Sequence, residues 1–294
     1  MVDFYPKNFG GLPPELSSLG NSRFVLLSIP YEATTTYGKG ARFGPSAIIE
    51  ASRNMELYDQ ELGFQPSDRG IHTTGELDFE DMAPEAMAAT VKNGVAEYIR
   101  DDGFVFSLGG EHSISYPAFM AHREAFGEIG IVQIDAHADL RNEYLGSPYN
   151  HACVMRRIAG ETSKIVQVGI RSMSREEAQF IAEEGGWPVV SPRRCNAGDD
   201  WMAEAMKSLP ELVYLTIDID GLDPSLVPCT GTPVPGGLEW RPLTRFLRRL
   251  CRERRVVGAD LVELAPDGVH RASEFLAATL VYKVMAYVLD GEKE

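Results

Sequence analysis

The sequence predicts an α/β fold: one parallel sheet covered by helices on both faces. Three observations carry this prediction. Six short runs, at 24–29, 104–108, 129–135, 165–169, 212–218 and 256–262, are nearly continuous in apolar residues, as strands buried on both faces are. Helical patterns fall between them, and strand–helix alternation points to a parallel sheet. Polar motifs able to carry chemistry follow the apolar runs directly, at the C-terminal strand ends where open parallel sheets gather function.

Along the chain, residues 6–20 are rich in Pro and Gly and read as part of an N-terminal arm, about 1–20, packing over the surface. The first strand, 24–29, is FVLLSI. Helix-period apolar spacing marks 46–57 and 85–100. Strand 104–108 runs into GGEHS, and strand 129–135 runs into AHAD. Helix 151–158, strand 165–169, helices 175–184 and 201–209, and strand 212–218 follow. Helix 243–252 overlaps RFLRRLCRERR, residues 245–255, with Phe246, Leu247, Leu250 and Cys251 inward and arginines on an exposed face. A partner surface is the alternative reading of those arginines. Strand 256–262 and helix 272–289 are the last elements. No linker, internal repeat or low-complexity stretch divides the chain, so residues 1–294 are expected to form one domain.

Composition narrows the function. The net charge of −15, from 28 basic and 43 acidic residues, argues against nucleic acid and favours the approach of a small cation. No apolar run reaches the ~18–20 residues that cross a bilayer. The first residues, MVDFYPKNFGGLPPEL, lack the basic and apolar regions of a signal peptide. A cytoplasmic location without a membrane partner is therefore the expectation. Cys153, Cys195, Cys229 and Cys251 show no paired spacing and are expected as free thiols.

IVQIDAHADL places Asp135, His137 and Asp139 at alternate positions after an apolar run, and YLTIDIDGLDP does the same with Asp218 and Asp220. Alternate residues of an extended chain share a side, so each stretch offers a row of hard ligands. One Asp after a strand is ordinarily a cap or turn residue. Four buried carboxylates together would repel one another and lose much solvation, unless cations sit between them. GGEHS adds His112, and its glycines let the backbone pass close to a site.

GGEHS, DAHAD and DIDGLDPSLVPCTGTPVPGG together resemble the ureohydrolase family of arginases and agmatinases, across residues 31–289. The resemblance implies a three-layer αβα sandwich with an eight-stranded, mostly parallel sheet and two Mn²⁺ ions. It implies that His112, Asp135, Asp139 and Asp218 hold one ion, and His137, Asp135, Asp218 and Asp220 the other. An oxygen-rich set with two imidazoles suits Mn²⁺, with Fe²⁺, Co²⁺ or Ni²⁺ also compatible. Such a pair lowers the pKa of a shared water towards ~7. His151, in SPYNHACVM, matches the family's proton-shuttling histidine. Glu263, in DLVELAP, matches the glutamate that pairs with the substrate guanidinium. Thr232 matches a threonine that supports the metal site. By the same resemblance the chain is expected to form a homo-oligomer, a trimer or hexamer.

The substrate implied is a cationic guanidine, cleaved to urea and an amine. The loop LRNEYLGSPYNHA lacks the asparagine and serine pattern of arginases, and Ser174 stands where they carry an aspartate; both departures disfavour arginine. Ala152 replaces the glycine usual after the shuttle histidine of agmatinases. Agmatine, giving putrescine for polyamine biosynthesis, is the leading substrate. N(1)-aminopropylagmatine, guanidinobutyrate or another guanidine is the alternative, and a catalytically silent metal-binding subunit a remote one. Glu143 or Tyr144 offers contact to a distal amine and Arg141 to a carboxylate, each with a structural role as the alternative.

Overall fold

The computed structural model describes residues 7–80 and 82–292, and in it eight strands form one wholly parallel sheet. They are β1 (Phe24–Ile29), β2 (Ile71–Glu76), β3 (Phe104–Gly109), β4 (Gly130–Ile134), β5 (Ile165–Val168), β6 (Val189–Val190), β7 (Leu212–Asp218) and β8 (Arg255–Val262). Their order is β2-β1-β3-β8-β7-β4-β5-β6. The four central strands, β3, β8, β7 and β4, come from distant parts of the chain, and their C-terminal ends lie side by side.

All six strand runs expected from the sequence are present. The two strands outside those expectations are the sheet's edges. β2 (IHTTGE) has one buried residue, and β6 has only two residues. An edge strand lacks a neighbour on one side, so it has no need of the continuous apolar run that betrays a central strand.

Alternating strand residues feed two apolar layers. Phe24, Leu26, Phe104 and Phe106 face one layer, whereas Leu27, Ile29 and Val105 face the other. After a single turn, α1 (Pro14–Ser17), the first layer is closed by α2 (Gly44–Ser52). The opposite layer is closed by α3 (Pro84–Tyr98), α4 (Ser115–Phe126) and α5 (Val154–Ala159). Next come α6 (Arg175–Phe180), continuing into a π-helical turn at Ile181–Gly185, and α7 (Pro192–Ala197). Then α8 (Asp200–Ser208), α9 (Trp240–Glu253) and α10 (Arg271–Gly291) return to the first layer. The result is the expected αβα sandwich. On α9, Phe246, Leu247, Leu250 and Cys251 are buried, while Arg245 and Arg248 form ion pairs with Asp199, Glu61 and Asp290.

α4 was not expected from the sequence. Pro117 sits in its first turn, where a missing N–H is tolerated, and Gly127 ends it at φ 82°. The described part of the N-terminal segment does more than lie on the surface. Phe9 is fully buried against the Tyr282 ring, its amide donates to Thr73 Oγ1 at 3.0 Å, and Gly10 donates to Ser52 Oγ at 2.9 Å. Residues 1–6 of the expected arm lie outside the described residues. Among the described residues α10 is the one helix long and apolar enough to span a bilayer, and 72% of its most apolar window is buried in the protein. All four cysteines are unbridged and buried.

Candidate metal centre

The central strand ends bring the six expected donors together. After β3 the chain turns through Gly110, where a Cβ would lie 2.1 Å from Tyr31 O; glycine alone allows this approach, and it delivers His112 into the sheet's centre. β4 ends at Ile134 and releases Asp135, His137 and Asp139. β7 ends at Asp218, whose carboxylate accepts the Asp220 amide at 2.8 Å and so forms the next turn.

His112 Nδ1 lies 3.0 Å from Asp135 Oδ2, 3.1 Å from Asp139 Oδ2 and 3.5 Å from Asp218 Oδ2. His137 Nδ1 lies 3.0 Å from Asp220 Oδ2 and 3.6 Å from Asp135 Oδ1. Two donor triads result, His112–Asp135–Asp139 and Asp135–His137–Asp220, and Asp135 belongs to both. Asp218 borders the first triad.

The donor chemistry fits cations. His112 Nδ1 is buried without a hydrogen-bond partner of adequate geometry and faces three carboxylate oxygens. Without cations, protons must stabilise the cluster. Burial lowers the pKa of His112, but the adjoining carboxylates of Asp135 and Asp139 outweigh it and hold the imidazole well above its usual value. Burial likewise opposes His137, yet Asp135 and Asp220 push it up to about 11. Asp139 is pushed up to about 7 by burial and by the charge of Asp135. Asp218 is raised well above the usual range by burial, Asp220 and Asp135. Divalent cations would replace these protons.

Buried polar residues on the strands orient the donors. Gln133 Nε2 donates to Asp135 Oδ2 at 2.7 Å, and Gln167, its neighbour on β5, donates to Gln133 Oε1 at 2.6 Å. Thr216 Oγ1 lies 2.9 Å from His112 Nε2 and donates to Asp260 Oδ1 at 2.7 Å. Arg171 places its guanidinium among the carbonyls of Gly169, Asp220, Gly221, Leu222 and Val234, which fixes the turn carrying Asp220. These residues were not foreseen. For Gln133, Gln167 and Thr216 the signal was a polar side chain inside an otherwise apolar strand, as in IVQI, IVQV and YLTI.

A cavity of about 260 Å³ opens beside the donors, and His137, Asp139, Asp218, Asp220, His151 and Glu263 reach its wall. Glu263 Oε1 accepts the His112 amide at 2.7 Å. Burial and the nearby Glu111 raise the Glu263 pKa well above the usual range, so a cation in the cavity would stabilise its ionised form. Burial, His112 and His137 lower His151 to about 4, leaving a neutral imidazole near neutral pH. Thr232 Oγ1 donates to Asp220 Oδ2 at 3.4 Å. Arg141 and Tyr144 line the cavity, with the guanidinium 4.7 Å from the ring centroid. Glu143 is exposed and not among the lining residues. The segment 35–38, which follows β1, also forms the wall. Sequence reading passed over it because it carries no metal-type ligand.

Comparison with known proteins places this geometry. A family model described as the arginase family matches residues 22–287. A protein of Synechocystis named N(1)-aminopropylagmatine ureohydrolase is 42% identical over 286 residues, covering 95% of this chain and 93% of its own. An agmatinase of Pyrococcus horikoshii is 35% identical, covering 89% of this chain and 90% of its own. The crystal structure of agmatine ureohydrolase of Thermoplasma volcanium matches with a TM-score of 0.86 at 29% identity, covering 99% of this chain and 97% of that one. With nearly its whole length matched by the family model, this chain belongs to the arginase family.

Proposed function

We propose that the protein is an amidinohydrolase acting on agmatine or a closely related linear guanidine, with release of urea and an amine. The observation that carries this reading is the juxtaposition of two donor triads sharing Asp135 with a cavity lined by His151 and Glu263. His112, Asp135, Asp139 and Asp218 would hold one divalent cation, and His137, Asp135, Asp218 and Asp220 the other. Mn²⁺ is the proposed metal, since four carboxylates and two imidazoles form a hard, oxygen-rich set without thiolate. Bound cations supply Lewis acidity and lower the pKa of a coordinated water towards ~7.

The chain's own residues bind the substrate and move its proton. Glu263 accepts the planar, cationic guanidinium, for which a carboxylate is geometrically matched. Hydrolysis adds water at the guanidino carbon and breaks its bond to the alkyl nitrogen. The departing amine needs a proton, and His151, neutral and at the cavity wall, is placed to carry it. At about 260 Å³ the cavity lies just below the roughly 300–1,000 Å³ of ordinary ligand pockets, which suits a small linear guanidine. When the amine produced is putrescine, the product is a polyamine.

The name of the 42%-identical relative favours N(1)-aminopropylagmatine as the second reading. A urea-release assay on agmatine, N(1)-aminopropylagmatine, guanidinobutyrate and arginine, after loading with Mn²⁺, tests both. The highest kcat/KM is expected for one of the first two. No urea from any of the four would refute the proposal. Replacing His151 by Asn should keep the bound metal and lower kcat by roughly 10²-fold or more.

A further inference from the structure

We propose that Thr34 and Glu111 are positioning residues that hold His151 in the tautomer with its proton on Nδ1. This rests on the reading of His151 as the proton carrier and extends it to two residues outside the metal ligand set. Thr34 lies in the segment after β1, Glu111 in the turn after β3, and His151 just before α5. Three distant segments thus meet at one hydroxyl.

The geometry around that hydroxyl is saturated. Thr34 Oγ1 donates to Glu111 Oε1 at 2.6 Å and accepts the His151 backbone amide at 3.0 Å. His151 Nδ1 lies 3.4 Å from the same oxygen. A hydroxyl has one proton and two lone pairs. The proton goes to Glu111 and one lone pair takes the His151 amide. The remaining lone pair meets Nδ1 favourably only when Nδ1 carries hydrogen. Nε2 then keeps its lone pair on a ring that lines the cavity. The hydrogen bond made by one ring nitrogen sets the protonation of the other.

Glu111 is held firmly enough to impose this direction. It is 0% exposed. Its Oε2 accepts the amides of Ala33 at 2.7 Å and Thr34 at 2.6 Å, and its Oε1 accepts the Ser113 hydroxyl at 2.6 Å besides that of Thr34. Four donors converge on this carboxylate, so Thr34 has a fixed acceptor on one side and His151 on the other.

The test combines a tautomer measurement with two variants. Protein labelled with nitrogen-15 histidine and loaded with diamagnetic Zn²⁺ gives imidazole shifts that report which nitrogen bears hydrogen, with His151 assigned by the signals lost in His151→Asn. The expected result is hydrogen on Nδ1. Hydrogen on Nε2 would overturn the proposal without either Thr34 variant having to fold. Thr34→Val should lower kcat by about 10-fold or more, with KM and bound metal little changed, and Thr34→Ser should restore most of it. Unchanged kcat in Thr34→Val, or equal impairment in both variants, would also overturn it. Full turnover by His151→Asn would defeat the proton-carrier reading separately, because the tautomer shift is read independently of turnover.

Discussion

Lowering the pH from about 7 to about 5 should destabilise this protein in part through one imidazole, His122 on α4. The residue is 1% exposed. Nδ1 lies 2.8 Å from Ala118 O, and Nε2 has no hydrogen-bond partner. The Tyr214 and Phe126 rings lie 4.9 and 6.3 Å away. Burial lowers the pKa from 6.5 to about 4, against the opposing pull of the Ala118 carbonyl. Well above pH 6.5 the ring is neutral in both states and contributes no pH dependence. Between 6.5 and 4 the unfolded chain binds a proton that the folded chain does not, so stability falls as the pH falls. At about 1.36 kcal/mol for each pH unit separating the two values, the loss is about 2 kcal/mol at pH 5 and levels off near about 3.4 kcal/mol below pH 4. Urea denaturation of wild type and His122→Leu over a pH series reads this directly. Wild type should lose about 2 kcal/mol more than the variant between neutral pH and pH 5. The metal ligands titrate in both proteins, so their contribution cancels in the difference when the sites are independent. Parallel pH curves for the two proteins would refute the argument.

Three further outcomes follow from the candidate metal centre. Asp135→Ala removes the donor common to both triads, so elemental analysis after metal loading should find neither site filled; an unchanged metal content would contradict the shared-ligand assignment. Gln133→Leu deletes the amide that orients Asp135 Oδ2 and should weaken metal retention by roughly 10–100-fold in chelator competition. An unaltered competition curve would show that Asp135 needs no such brace. Asp139 has its folded pKa raised from 3.8 to about 7, so the cation-free protein loses stability as the pH rises through that interval. Asp139→Asn should therefore melt at a higher temperature than wild type when both are stripped of metal near pH 8, and equal melting temperatures would count against it.

The central part of this fold was legible because burial on both faces leaves a strand little choice of residue. β1, β3, β4, β5, β7 and β8 each declared themselves as apolar runs. β2 and β6 did not, since an edge strand satisfies the sheet with Thr, Gly and Glu or with only two residues. Five of the six donors were legible for a related reason, and the GGEHS motif supplied His112. Asp and His at alternate positions after such runs have no good apolar explanation, and the structure gathers all six around the shared Asp135. What escaped were residues whose role depends on a partner far along the chain. Thr34 acquires meaning only when Glu111 and His151 stand beside it, and Gln133 only when Gln167 lies in register. Arg171 looks like an ordinary loop arginine until five carbonyls converge on it. Spacing along one segment cannot encode these meetings.

The strained positions show how the strand ends are locked together. Among the described non-glycine residues only Asp139, Leu145 and Glu263 have positive φ, at 53°, 49° and 64°, and two of these three face the cavity. Such conformations cost of order 1–3 kcal/mol each and persist where surrounding contacts enforce them. Here the contacts are backbone bonds to neighbouring site segments. The Asp139 carbonyl accepts the amides of Met155 and Arg156 at 3.0 and 3.1 Å, tying the end of β4 to the helix that follows His151. Glu263 donates its amide to Gly110 O at 2.7 Å and accepts that of His112 on Oε1, tying β8 to the turn after β3. The donors are thus held by bonds between strand ends that need no cation. Uptake of cations by such a site is chiefly an exchange of metal for protons, with little backbone rearrangement, and a metal affinity that rises with pH follows from the same geometry.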